Sequence, residues 1–187
     1  KLKAVPFTKR SAPSFLALLA AGVGLVALLG WIAGLPLLTT FAAGRVPMAP
    51  STALLFVLFG PAVFSHACMP QTPGAHRLNL TLGLLGTAVS LLLLVLSLLG
   101  IRPAAEHLGF PLVGTVDGVT TGHISPLSAS CFALAGFAFL ALLSSSSGRR
   151  WRAAAAFSLA SLVALTSATC LLAYVLGSPV LYGSGII

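Results

Sequence analysis

Acidic side chains are almost absent from this chain of 187 residues: Glu106 and Asp117 are the only two, against ten Lys and Arg and a formal net charge of +8. Charge of either sign is scarce at 6% of residues, where soluble domains carry about 25%. So few ionised groups cannot cover a soluble globular surface. With 58% hydrophobic residues and a mean hydropathy of +1.08, the composition fits the lipid bilayer as its solvent. A basic balance can also serve nucleic acid, but these charges sit between long apolar runs, so no nucleic-acid partner is expected.

Other absences narrow the function. Three cysteines, Cys68, Cys131 and Cys170, show no CxxC spacing and no disulfide framework. They read as small buried residues, with a Cys131–Cys170 redox pair in neighbouring helices as the alternative. There is no P-loop, no GxSxG, no HExxH and no kinase phosphoacceptor box. No apolar run holds a central ionisable group, which counts against a transporter, where such costly groups serve the pathway. His66 falls on one side of the membrane and His107 and His123 on the other, which counts against a bis-histidine haem. No catalytic residue, metal or cofactor is therefore assigned.

What the chain does contain is a recurrence. Met48 to Gly60, MAPSTALLFVLFG, returns 76 positions later (48 to 124) as Ile124 to Gly136, ISPLSASCFALAG. Pro50/Pro126, Ala53/Ala129, Phe56/Phe132, Leu58/Leu134 and Gly60/Gly136 are identical pairs, and Thr52/Ser128 is conservative. Each copy has the form of a helix start: proline in the first turn, hydroxyl residues able to cap it, then an apolar run. Pro50, Thr52, Pro126 and Ser128 are its defining positions.

Apolar length and turn residues give an all-α, polytopic membrane helix bundle forming a single domain. Its five spans are expected at about 14–38, 48–67, 79–100, 125–143 and 153–176. Pro61 is expected to kink the second span, and Asn79 or Thr81 to cap the third. Gly30 and Gly34 form a GxxxG, with Gly22 and Gly24 as further small surfaces for helix approach. Trp31 lies where an interfacial aromatic is expected. The fifth span is rich in Ala, Ser and Thr and is expected inside the bundle.

The longest hydrophilic stretch, 101–123, holds Arg102, Glu106, His107, Asp117 and His123. Carboxylates and imidazoles suit Zn, Mn or Fe, yet the spacing is irregular and adjacent Glu106 and His107 cannot share one ion from a helix. The stretch reads as a solvated loop or as an external ligand or partner surface built on those five residues.

Lys and Arg fix an orientation, because short cytoplasmic connections hold the excess. Eight (Lys1, Lys3, Lys9, Arg10, Arg77, Arg149, Arg150, Arg152) fall on the N-terminal side and two (Arg45, Arg102) on the other. The N-terminus is therefore expected in the cytoplasm and Ile187 outside. Each repeat unit is a helix going out and a proline-led helix coming back, and the third unit shows only its outward helix. The chain, which opens at Lys1 and stops within a recurring motif, reads as a piece of a longer one with a sixth, proline-led span after Ile187.

GWIAGLPLL, VPMAPSTALLFVLFG, HISPLSASCFALAGFAFLALL and LLAYVLGSPVLYGSGII together resemble the N-terminal multi-span membrane region of bacterial sensor histidine kinases and diguanylate cyclases. The resemblance covers nearly the whole chain. It implies a sensory input module of the bacterial inner membrane, commonly a homo-oligomer, relaying a signal to a cytoplasmic output domain not contained in these residues. A structural or assembly subunit among other membrane subunits is the alternative from a different class. The orientation has a direct test: cysteines introduced at 111–114 react with an impermeant maleimide in intact cells, and cysteines at 145–148 only after permeabilisation. The reverse pattern contradicts it.

Overall fold

The computed structural model of the chain describes residues 8–40, 47–70, 72–101, 103–110, 115–116, 119–120, 122–144 and 150–175. Six α-helices follow in order: α1 Thr8–Ala33, α2 Pro36–Thr39, α3 Pro50–Cys68, α4 Pro73–Leu98, α5 Pro126–Leu143 and α6 Arg150–Val175. All but α2 are long and apolar enough to cross a membrane, since about 20 residues at 1.5 Å rise span the hydrocarbon core. The 98–126 connection holds a 3-10 turn, Ala104–His107, and a minimal antiparallel ladder, β1 Thr115–Val116 with β2 Val119–Thr120. The chain is thus the expected helical membrane bundle, with one short ladder added in a loop.

The helix starts follow from their prolines. Pro50, Pro73 and Pro126 occupy the first turns of α3, α4 and α5, where a missing N–H costs nothing and a fixed φ suits the helix. The caps differ from expectation. Ser125 Oγ accepts from the Ser128 N–H at 3.1 Å, so Ser128 is the capped residue; the first copy has Ala49 there and no side-chain cap, and Thr52 does not supply one. α4 starts at Pro73, six residues before the expected 79, because Thr72 Oγ1 accepts from the Ala75 N–H at 3.2 Å. Asn79 lies inside that helix, fully buried. The polar run around His76 and Arg77 is therefore the first turns of α4, projecting exposed side chains. α3 continues through Pro61.

α1 ends at Ala33 and not near Leu38, because Gly34 adopts φ +64, a left-handed conformation glycine tolerates without strain. The chain then folds back along α2. A Cβ on Gly30 would lie 2.7 Å from Leu38 Cβ, so the Gly30–Gly34 pair accommodates the helix's own exit and does not join two spans. The span-to-span approach uses Gly24, where an added Cβ would meet the Ala53 carbonyl oxygen at 2.6 Å and Phe56 Cβ at 2.7 Å.

The helices pack largely in chain order: α3 on α1, α4 on α3, α5 on α4 and α6 on α5. The two repeat copies thus become the second helices of two hairpins, α1–α3 and α4–α5, and both repeat glycines sit at the hairpin seam. A Cβ on Gly60 would lie 2.7 Å from Ala21 Cβ and 2.8 Å from the Ala17 carbonyl oxygen; one on Gly136 would collide with Thr87 Oγ1. Between the hairpins, the repeat phenylalanines meet. Phe132 stands edge-on to Phe56, with centroids 5.0 Å apart, and stacks on Phe59 at 6.3 Å. Phe59 also belongs to the buried cluster of Ala49, Leu55, Leu93, Ile124 and Ala129, and in lipid such close packing, and not a hydrophobic difference, holds helices together.

α6 corrects one expectation. It touches only α5 among the described elements, and Ala156 alone of its described side chains is buried. Its hydroxyls need no protein neighbour, because they can bond their own helix, as Thr169 Oγ1 does to the Leu165 carbonyl at 2.9 Å. Small and hydroxyl residues therefore did not place it in the interior.

The seam predicts a contrast between glycines. Gly60→Ala in detergent-solubilised protein is expected to cost about 1–3 kcal/mol, the usual range for overpacking, read as a drop in thermal midpoint. Gly22→Ala, where an added Cβ meets nothing within 4 Å, is expected to be neutral or stabilising by up to about 1 kcal/mol.

Candidate functional site

The connections 33–50 and 98–126 meet at one end of the bundle, and that meeting builds the site. Trp31 is buried there. Its Nε1–H donates to the Met48 carbonyl at 2.9 Å and its ring stacks on Phe110 with centroids 6.2 Å apart. It joins the approach to α3 to Phe110, so its ring faces protein and is not the exposed interfacial aromatic that was expected.

Glu106, on the 3-10 turn, is 8% exposed, and His107 is 7% exposed. The reading of this stretch as a solvated loop does not hold for these two residues. Glu106 Oε1 accepts a hydrogen bond from the Ile124 backbone N–H, and Oε2 lies 2.9 Å from His123 Nδ1. With the carboxylate ionised, Nδ1 carries the proton, and the pair becomes an ion pair when His123 is protonated. The His107 and His123 rings stand edge to face, centroids 4.4 Å apart. A carboxylate placed just before the first turn of α5 also meets the positive end of that helix's dipole. One acid thus fixes a 3-10 turn, an imidazole and a helix start.

Burial holds the His107 imidazole below its usual value of 6.5, and the neighbouring His123 acts in the same direction; Glu106 and a hydrogen bond to the Gly122 backbone oppose them. His107 is accordingly neutral at pH 7. Leu108, which follows, has φ 52, a left-handed conformation uncommon for a branched side chain. Gly109 at φ 82 completes the reversal, and the Phe110 N–H donates to the His107 carbonyl at 2.9 Å.

Of the five residues expected at an external surface, the structure brings Glu106, His107 and His123 together. Arg102 and Asp117 lie outside the described residues. No group of three or more His, Cys, Asp and Glu with metal-holding geometry occurs among the described residues. Pro50, Thr52, Pro126 and Ser128 mark helix starts as described above, with Ser128 adjoining the site through the Ser125 cap.

Two polar features were missed in the apolar runs. The Asn79 amide is wholly buried with no hydrogen-bond partner among the described residues, and so is the Ser51 hydroxyl, while Thr87 and Ser90 bond back to the Gly83 and Gly86 carbonyls at 2.6 and 2.7 Å. His66 stands edge-on to Phe139 at 5.9 Å at the opposite end of the bundle, where Ser14 Oγ and Cys68 Sγ are 2.8 Å apart. All three cysteines are free. An Asn in a helix register gives no sign of its facing, so only packing reveals it.

The architecture defines a polytopic helical membrane protein. Comparison with protein-family models, with curated proteins and with solved structures finds no match to this chain.

Removing the carboxylate isolates its role. Glu106→Ala leaves the Ile124 N–H and His123 without their acceptor and is expected to cost about 1–3 kcal/mol, read by thermal unfolding in detergent at pH 7.5. Glu106→Gln keeps one acceptor oxygen and is expected to lose less.

Proposed function

We propose that the chain is a membrane-embedded sensory input module of a bacterial signal-transduction protein, placed in the inner membrane with its N-terminus in the cytoplasm. The observation that carries this reading is the buried Glu106–His107–His123 cluster, bonded straight to the start of α5. Ionisable groups buried in a connection cost free energy unless they are paired, and here they connect an external segment to a helix that crosses the bilayer. A change in the cluster therefore reaches α5, then Phe132 and the Phe56–Phe59 pair of the other hairpin. On this reading the bundle works as a two-state device, and a ligand or membrane state acts by favouring one packing arrangement over the other. Output chemistry belongs to a domain outside these residues, as the resemblance of the helix motifs to sensor kinases and cyclases implies.

A second reading has its own observation. α6 leaves Ser158, Ser161, Ser167 and Thr169 exposed, small hydroxyl residues that permit close approach of another membrane subunit or a second copy of the chain, as a structural or assembly component would need.

The discriminating experiment uses the full-length protein. Replacing residues 8–175 with inert membrane helices of the same topology is expected to leave membrane insertion intact and to abolish the response of downstream output to external conditions. A response that survives the replacement contradicts the sensory reading, and so does co-purification of unrelated membrane subunits at fixed stoichiometry with no signalling output.

A further inference from the structure

We propose that Glu106, His107 and His123 form a proton-operated latch: with His107 neutral the 3-10 turn is bonded through Glu106 to His123 and Ile124, just ahead of α5, and protonation of His107 releases it. This deepens the sensory reading and rests on it for its biological meaning, naming external proton concentration as the signal.

The geometry offers an imidazolium at position 107 one backbone acceptor, at Gly122, and no carboxylate oxygen that is not already engaged. Both Glu106 oxygens are already engaged, by the Ile124 N–H and by His123 Nδ1. A second imidazole, His123, stands 4.4 Å away between centroids and disfavours a charge on His107. His107 is 7% exposed, so water does not solvate the new charge while the turn is closed. Among the described residues, Glu106 and His123 are the ionisable groups that face His107. α3, the helix packed against the 3-10 turn, contributes only His66 and Cys68, both at its far end.

The sign follows from linkage. In the open state His107 is hydrated and titrates near its usual value, about 6.5; in the closed state burial holds it lower. The open form therefore binds the proton more tightly. Closure is fully favoured above about pH 6.5 and is lost as pH falls through the lowered closed-state value, by at most about tenfold in the open-to-closed ratio per pH unit for one proton.

The backbone around the cluster is built to move once the latch contacts go. Gly100 at φ 69 precedes the turn, and Leu108 and Gly109, at φ 52 and 82, follow it. Strain at Leu108 persists only while its surroundings impose it. The movement has a built-in reporter, because Phe110 bonds the His107 carbonyl and stacks on Trp31.

The test uses this chain in lipid nanodiscs of phosphatidylethanolamine and phosphatidylglycerol, carrying Trp151→Phe so that Trp31 is the only emitter. Between pH 8 and 4.5 the Trp31 emission is expected to change in one transition with a midpoint below 6.5. The transition is expected to vanish in His107→Gln with helix content unchanged. A flat titration overturns the latch, and so does an unchanged transition in His107→Gln. Should that variant lose its helices, proton NMR of the unaltered His107 decides. The ring is expected to titrate below 6.5 together with a shift of the Ile124 amide, and a ring that titrates at or above 6.5, or an amide that does not follow, overturns the proposal. Failure here removes protons as the signal and leaves the sensory reading to stand or fall by its output assay.

Discussion

A backbone N–H buried at the start of a membrane helix has to find an acceptor, and at Ile124 that acceptor is the Glu106 carboxylate. Much of the loop end depends on this bond. It ties the 3-10 turn, which packs on α3, to the residue two before α5; the same carboxylate contacts His123, whose ring stands against His107. Ile124 itself is buried with Leu55, Phe59 and Ala129 in the largest apolar cluster, so the acid that satisfies its amide also holds the top of the helix packing in position. Glu106 is the one acid among the described residues, in a chain that has only two.

Below that end, close approach does the work that apolar burial does in water. The two copies of the recurring motif are the returning helices of two hairpins. Their glycines meet Ala17 and Ala21 in one hairpin and Thr87 in the other. The copies are not interchangeable: the second carries the Ser125 cap and the Glu106 bond, and the first has Ala49 and leans on Trp31 through the Met48 carbonyl. A repeated scaffold thus carries different fastenings at its two returning helices, an indole at the approach to α3 and a carboxylate–imidazole pair at the approach to α5.

The five spans were legible because hydropathy over about 20 residues registers a physical requirement of the bilayer. Boundaries were less so where local chemistry overrode hydropathy. Gly34 stopped α1 inside an apolar run, and Thr72 with Pro73 started α4 within a polar one. The placement of α6 was misread because small residues permit close packing without demanding it. Three of the five residues singled out in the 101–123 stretch, Glu106, His107 and His123, come together, and their arrangement was not legible. Glu106 and His123 are 17 residues apart with no periodic spacing, and their pairing depends on how the one connection between α4 and α5 folds back on itself. Trp31 announced an interfacial depth, and only the fold shows it turned inward onto Phe110.

The most direct measurement is hydrogen–deuterium exchange at the Ile124 amide, followed by NMR in nanodiscs at pH 7.5. If Glu106 holds this N–H as described, exchange is slowed by on the order of a hundredfold or more relative to the free-peptide rate. An Ile124 amide that exchanges at the rate of an open loop would contradict the account, since the turn, the imidazole pair and the start of α5 would then share no common anchor.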